Sequence, residues 1–147
     1  MDKEREPGIF FEKVVLKKCV FEMRPSKQSD IKKQMKIDFK VDNRINDSKN
    51  ILFTDFSIII GKDDEEMPFM LDIVVTGMFK KDEKNENMDL ETFSKSNAAV
   101  ILFPYVRELI SNLTMRAGLS NPIIIPPMNI ARLMKEKESK KISRVNK

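Results

Sequence analysis

Hydrophobic and polar residues alternate with a period of two in the first half of the chain, a pattern that predicts β-strands. The clearest alternation lies at residues 35–42, where apolar residues from Met35 to Val41 alternate with lysines and aspartates. A strand of this kind buries one face and leaves the other in water, as antiparallel sheets often do. Three more strands are predicted, at Ile9–Phe21, Ile51–Gly61 and Pro68–Lys80.

The last two predicted strands are the more apolar ones. In the third strand, Asp55 and Ser57 lie opposite a face of leucine, phenylalanine and isoleucine. In the fourth strand, alternate positions from Phe69 to Phe79 are mostly apolar, whereas the other face mixes methionine, valine, threonine and Asp72. The polar connections between strands are short, which favours a meander of hairpins over βαβ units.

The periodicity changes to that of a helix after a charged loop at residues 80–87. Apolar residues recur at helical spacing at Leu102, Val106, Leu109, Ile110 and Leu113. Gly118 is the predicted C-terminal cap of this helix. Proline fits only the first turn of a helix or a kink, so Pro104 predicts that residues 98–103 form a separate helical piece.

A second helix is predicted to begin near Met128 or Asn129, after a connector at residues 119–127 that contains three prolines. Strands followed by helices indicate an α+β fold, with a four-stranded antiparallel sheet and two C-terminal helices on one face. The length of 147 residues suits one domain, predicted at residues 1–131. Residues 132–147 are predicted to hold the end of the last helix and a basic tail.

Composition narrows the class of protein further. Hydrophobic residues make up 41% of the chain and charged residues 34%, too apolar for a disordered chain. The apolar runs are far shorter than a bilayer span, and the polar start has no leader-like apolar stretch. The single cysteine, Cys19, fits a reducing compartment, so we expect a cytoplasmic protein.

Little in the sequence indicates an enzyme. Histidine is absent, which removes the commonest general base and metal ligand. The acidic residues at 63–66 lack the spacing of a calcium loop, and the four glycines are too scattered to cradle a phosphate. Cys19 is expected to be buried in its strand. We therefore expect no catalytic residues, no metal and no cofactor.

The positive charge is concentrated in the tail. Residues 132–147 contain seven basic and two acidic residues, a net charge of +5, so the remainder carries −1 of the total of +4. Such a tail can bind nucleic acid through its phosphates, which is one alternative function. A solvated terminus is the commoner explanation of this pattern.

The apolar inventory points to binding of other polypeptides. The chain has 10 methionines and 10 phenylalanines but one tyrosine and no tryptophan, and methionine is over-used on promiscuous binding surfaces. In the connector, Leu119 and residues 123–125 lie between prolines, so consecutive apolar side chains point in different directions. Some of these side chains need a partner to cover them.

Three segments resemble the SecB family of export chaperones. Residues 101–108 read Ile-Leu-Phe-Pro-Tyr-Val-Arg-Glu, residues 116–118 read Arg-Ala-Gly, and residues 125–130 read Ile-Pro-Pro-Met-Asn-Ile. The family carries closely similar runs in the same order, and the stretch that contains them, residues 101–130, is about a fifth of the chain. Phe21, Glu22 and Pro25, and the fourth strand with Gly77, fit the family more weakly but in the same order.

The resemblance implies a four-stranded sheet with two helices, assembled as a tetramer (a dimer of dimers) through the long helix at Tyr105, Leu109 and Leu113. It also implies an ATP-independent holdase that binds unfolded or precursor polypeptides and delivers them to the SecA motor for export. The residues implied to line the client groove are Met78, Phe79, Leu119, Ile123, Ile125, Met128, Ile130, Leu133 and Met134.

The resemblance also implies a docking site for SecA on the sheet, at Glu22, Met70 and Asp72. Lys18 departs from this pattern, because the family has an acidic residue at the equivalent position. Some SecB-like proteins serve instead as dedicated chaperones of an antitoxin. That role, without SecA, is the first alternative function, and nucleic-acid binding through the basic tail is the second.

Overall fold

The fold is α+β, as the sequence predicts. The computed structural model describes residues 8–24, 36–64, 66–82, 84, 88–118 and 129–136. The strands are β1 (Ile9–Met23), β2 (Ile37–Ile45), β3 (Ile51–Ile60) and β4 (Phe69–Lys81), and the helices are α1 (Leu90–Ser94), α2 (Asn97–Met115) and α3 (residues 130–136). The strands form one antiparallel four-stranded sheet.

The strand order corrects the predicted meander. The order is β1-β4-β3-β2, so only β2, β3 and β4 follow one another as hairpins, and β1 pairs with β4. This is a Greek key arrangement. The reason lies in the connection at residues 24–36, which is far longer than the two to five residues of an ordinary hairpin loop.

The two faces of the sheet have different surroundings. Residues paired across antiparallel strands share a face, so the register assigns every strand position to one side. The face that packs against α2 is the helix side, and its central rows are fully buried. The opposite face is the outer face. The buried helix-side positions of β3 and β4 are Leu52, Thr54, Phe56, Ile58, Ile60, Phe69, Leu71, Ile73, Val75, Gly77 and Phe79.

Gly77 sets how closely α2 approaches the sheet. A Cβ atom at this position would lie 2.7 Å from Cδ2 of Leu102, closer than carbon atoms pack. The absence of a side chain at Gly77 therefore lets Leu102 press directly against β4. Further along the same helix, Val106 and Ile110 are fully buried, and the ring of Phe103 packs 6.1 Å from that of Phe56.

The helices differ from the prediction in two ways. The α2 helix runs unbroken through Pro104, so residues 98–103 are not a separate piece. Proline removes the hydrogen bond to the carbonyl four residues earlier, that of Val100. Val100 and Pro104 are both exposed, so water can satisfy this carbonyl. The helix ends at Met115, just before Gly118, whose φ of 70° fits a turn out of a helix.

The α1 helix was not predicted. Its five residues are too few for an apolar periodicity to be visible. It begins at an N-cap aspartate, Asp89, whose side chain accepts a hydrogen bond of 2.7 Å from the backbone N–H of Thr92. Phe93 then anchors the helix by packing against the ring of Phe79.

Candidate functional site

The last helix, α3, attaches the end of the connector to the core. Its N-cap is Asn129, whose side-chain oxygen accepts a hydrogen bond of 3.0 Å from the backbone N–H of Arg132. Ile130 is 3% exposed and belongs to the core, whereas Leu133 and Met134 are half-buried at its margin. The helix therefore begins where the sequence predicts, and it carries apolar side chains that the core covers only in part.

The two sheet residues of the predicted groove lie on opposite faces. Phe79 is on the helix side and 0% exposed, with its ring 5.1 Å from that of Phe11 and 5.1 Å from that of Phe93. Met78 is half-buried on the outer face. Neighbouring strand residues cannot line the same surface, so Met78 and Phe79 do not belong to one groove. Phe79 is a core residue.

The structure brings together only part of the predicted groove. Ile130, Leu133 and Met134 lie within one helix and pack against the core. The other predicted groove residues lie outside the described residues: Leu119, Ile123 and Ile125 on the connector, and Met128 at the predicted start of the last helix. The basic tail beyond residue 136 lies outside them too.

The residues predicted to form the oligomer interface lie along one side of α2. Tyr105, Leu109 and Leu113 follow one another at intervals of four, which places them on one helix face. Tyr105 is 43% exposed, and its ring meets that of Phe11 edge-on at 5.7 Å. Leu109 and Leu113 are half-buried against the core.

An apolar strip on β1, which sequence reasoning missed, lies beside this helix. Val14 and Leu16 pair with Gly77 and Val75, so they face the helix side of the sheet. They are nevertheless 37% and 51% exposed, because α2 makes its main contacts with the sheet on β3 and β4. The feature of the sequence that could have revealed this strip is that β1 has apolar residues on both of its faces.

Cys19 corrects another expectation, since its thiol is exposed rather than buried. It pairs with Ile73 and therefore also faces the helix side. Ile73 is fully buried, whereas Cys19 lies one strand further out, on the edge strand β1. The strip of Val14, Leu16 and Cys19 is thus a part of the helix-side face that stays exposed among the residues that the structure describes.

The residues predicted to dock SecA lie together on the outer face. Glu22 pairs with Met70, and Asp72 is two residues further along the same strand. Glu22 is exposed, but Asp72 is 9% exposed and its carboxylate lies 2.7 Å from Nζ of Lys18. The lysine that departs from the family pattern thus directly neutralises one of the three predicted docking residues.

A second carboxylate, Asp55, links all four strands on the outer face. It accepts hydrogen bonds from Arg44 on β2 and Thr76 on β4, both at 2.6 Å, and from Lys17 on β1 at 3.4 Å. Burial by itself raises the pKa of the Asp55 carboxyl, but the hydrogen bonds from Arg44 and Thr76 and the charge of Arg44 outweigh burial, so the pKa lies below its ordinary value. Asp55 therefore stays ionised as a structural crosslink.

Across residues 8–24, 36–64, 66–82, 84, 88–118 and 129–136, no group of three or more His, Cys, Asp or Glu side chains is arranged to hold a metal ion. None of the helices in these ranges is both long and apolar enough to cross a bilayer.

Comparison with known proteins identifies one family. The model of the family "Preprotein translocase subunit SecB" matches residues 2–141. An uncharacterized protein of Methanocaldococcus jannaschii is 32% identical over 138 residues, which is 91% of this chain and 87% of that protein. The protein-export protein SecB of Saccharophagus degradans is 26% identical over 91 residues, covering 62% of this chain and 53% of that protein.

A solved structure shares the fold. It is that of a SecB-like chaperone of Mycobacterium tuberculosis in complex with a ChAD peptide from the HigA1 antitoxin. The two chains superpose with a TM-score of 0.64 at 13% identity, over 82% of this chain and 91% of the other. Because the family model matches nearly the whole sequence, the chain belongs to the SecB family.

Proposed function

We propose that this protein is an ATP-independent holdase, which binds unfolded or precursor polypeptides and keeps them competent for translocation. The observation that carries the proposal is the partial burial of the apolar side chains of α3. Ile130 fixes this helix to the core, while Leu133 and Met134 keep part of their apolar surface uncovered. The apolar connector and Met128 directly precede this helix, so Ile123, Ile125 and Met128 adjoin the same surface in sequence.

Apolar subsites of this kind select unfolded chains. A folded protein hides its apolar side chains, whereas an unfolded one presents them along an extended backbone. Burial of one Leu- or Phe-sized side chain gains about 1.5–3 kcal/mol. Ordering the surrounding residues costs roughly 1–2 kcal/mol each, so a single subsite binds weakly. Retention therefore needs several subsites that act on one client at high effective concentration.

A homotetramer would supply these repeated subsites. The exposed ring of Tyr105 and the uncovered strip of Val14 and Leu16 lie on the same side of the sheet and leave apolar surface available for another copy. Burial of this surface, together with Leu109 and Leu113 on α2, supports the dimer of dimers that the family resemblance implies. Nothing in this arrangement requires a nucleotide.

Two candidates could receive the client or replace it: the SecA motor, and a dedicated polypeptide partner that does not involve SecA. Delivery to SecA follows from the family, and it would use Glu22, Met70 and Asp72. The ion pair between Lys18 and Asp72 instead favours a dedicated polypeptide partner without SecA, because a neutralised carboxylate attracts a basic segment less well. The Mycobacterium tuberculosis neighbour, which was solved with a peptide from an antitoxin, is consistent with such a partner.

Calorimetry with the zinc-binding C-terminal segment of SecA separates the two recipients. Delivery to SecA predicts measurable binding at low salt, which weakens when Glu22 is replaced by lysine. Absence of binding by a folded sample at low salt would contradict delivery to SecA. The holdase proposal would remain, since it depends on the helix side.

The holdase itself is tested by charged substitutions in the proposed groove. Ile123→Asp, Ile125→Asp, Met128→Asp or Leu133→Asp should each weaken co-elution of a fluorescently labelled, chemically unfolded client in gel filtration, while the assembly elutes unchanged. Val15→Asp is the matched control, because Val15 is 42% exposed but lies on the outer face. Equal retention by all the variants would show that clients bind elsewhere.

A further inference from the structure

One end of the outer face carries apolar and basic side chains that the proposed holdase does not use. In a single row across the sheet, Arg44 on β2, Phe53 on β3, Met78 on β4 and Lys13 on β1 pair in register. Two cations on the edge strands thus flank an aromatic ring and a methionine on the central strands. Neighbouring strands lie about 4.8 Å apart, so the row is roughly 14 Å wide.

The next row towards the end of the sheet repeats this chemistry. Phe10 pairs with Lys80, which pairs with Ile51. Phe10 is 53% exposed and Phe53 is 36% exposed, which is unusual for phenylalanines in a small domain. The basic–apolar patch is defined by these two rows, Lys13, Met78, Phe53, Arg44, Phe10, Lys80 and Ile51, which include three cations and no carboxylate.

The patch is preorganised at its centre. The guanidinium of Arg44 lies over the ring of Phe53, 6.0 Å from its centroid. The bond of Arg44 to Asp55, at 2.6 Å, fixes the guanidinium there, and Asp55 is itself held by Thr76. A partner would therefore meet a ring and a charge whose positions are already set, which lowers the entropic cost of binding.

A shallow depression continues the patch beyond Phe10. Its volume is about 540 Å³, and it brings two further lysines, Lys81 and Lys84, next to Phe10 and Lys80. The carboxylates of Glu12 and Asp82 also line it. The end of the outer face thus combines exposed rings with an excess of positive charge. In contrast, the opposite end of the face carries Glu22 and Asp38.

We propose that the basic–apolar patch binds an acidic peptide segment of a partner protein, with carboxylates on either side of aromatic or aliphatic side chains. The apolar side chains would cover Phe10, Phe53 and Met78, while the carboxylates would pair with Lys13 and Lys80. The patch lies on the face opposite α2 and α3, so the partner and an unfolded client can bind at the same time. The site is also at the other end of β1 from Glu22.

A peptide fits this surface better than a nucleic acid does. One face of the Phe53 ring is already covered by Arg44, which leaves less of it for a base to stack on. Glu12 and Asp82 would repel a regular phosphate backbone, whereas a peptide can place its carboxylates beside the lysines alone.

The test uses a fluorescein-labelled peptide in which Glu alternates with Phe, followed by fluorescence anisotropy with the full chain. Lys13→Glu with Lys80→Glu should weaken binding by at least about tenfold. The matched control is Lys36→Glu with Lys40→Glu, which makes the same change of charge at exposed positions on or beside β2. It should change the affinity less than about threefold. Phe10→Ser should also weaken binding, without altering client retention.

Three results would overturn the proposal. Equal losses in both double variants would indicate non-specific attraction by net charge. Equal binding of a peptide with Ala in place of Phe would remove the apolar component. Tighter binding of oligodeoxythymidine of similar length, lost in Lys13→Glu with Lys80→Glu, would identify the patch as a nucleic-acid site.

Discussion

The two faces of one sheet differ in what stabilises them. On the helix side, Phe79, Leu71 and Ile58 are almost completely buried, and Gly77 admits Leu102 at close range. On the outer face, Asp55 and Asp72 hold cations from the edge strands. Burial of apolar area therefore supplies stability on one face. The other face holds paired charges and exposed rings, which are available for binding.

The sharpest test of this contrast is a pair of neighbouring residues on β4. Phe79→Ala should lower the free energy of unfolding by about 3–5 kcal/mol, because it opens a cavity among buried rings. Met78→Ala, one position away on the outer face, should cost less than about 1 kcal/mol. Urea unfolding followed by circular dichroism measures both. Similar losses for the two variants would show that the faces are not distinct.

A second prediction concerns the contact between α2 and the sheet. Gly77→Ala should cost about 1–3 kcal/mol, since the new methyl group overlaps the side chain of Leu102. In the double variant with Leu102→Ala, the methyl group would enter the space that the leucine vacates. The double variant should then be more stable than the sum of the single losses predicts, which a double-mutant cycle measures. Simple additivity would contradict this packing.

On the outer face, Asp55→Asn should cost about 1–2 kcal/mol, a smaller loss because Arg44 and Lys17 remain solvated. The folded pKa of Asp55 lies below its unfolded value of about 4, so its contribution is present above that pH and is lost as the pH falls through the folded pKa. Asp55→Asn should therefore flatten the acid side of the stability curve measured by urea titration.

The control for this variant is Asp42→Asn. Asp42 lies in the same row of the outer face, but its ion pair with Lys40 is 3.4 Å long and exposed. We expect a change below about 0.5 kcal/mol for this substitution. An equal effect of the two substitutions would show that Asp55 contributes only surface charge.

The smallest expected effect on stability is at the uncovered edge of the helix side. Cys19→Ser should change the free energy of unfolding by less than about 0.5 kcal/mol, because the thiol is exposed. In the folded parent, the thiol should react with iodoacetamide at low protein concentration and more slowly as assembly covers β1. Slow labelling at every concentration would contradict the exposed edge.

Much of this fold is visible in the sequence because most strands bury one face in a regular way. In β2, apolar and polar residues alternate without interruption from Ile37 to Val41. In β3, Asp55 lies on the opposite face from the apolar core residues of the strand. The two faces of each strand can therefore be assigned from the sequence. The α2 helix is also visible, although a proline rule predicted a break at Pro104. That rule fails where water can satisfy the freed carbonyl.

Strand β1 could not be interpreted in this way, because bulges change its periodicity. The register shifts between Phe11 and Lys13 and again between Leu16 and Lys18. A period of two counted from Phe11 would place Lys13 on the helix side, but the bulge turns it to the outer face. The basic–apolar patch, the exposed Leu16 and the pairing of β1 with β4 all depend on long-range contacts that no local pattern contains.

The candidate site was predictable only in part, for a similar reason. The family motifs at residues 101–108 and 125–130 identify the chaperone family, because they fix residue types at fixed spacing. Assigning both Met78 and Phe79 to one groove failed, since adjacent strand residues face opposite ways. The pairing of Lys18 with Asp72 was also hidden, because 54 residues separate them in the chain.

The holdase proposal is tested by diluting a chemically unfolded model protein and following its light scattering without nucleotide. We expect the parent chain to suppress aggregation at about one assembly per client, and we expect Leu133→Asp or Ile125→Asp to lose this effect while Val15→Asp keeps it. A folded parent that leaves the scattering unchanged would contradict the holdase.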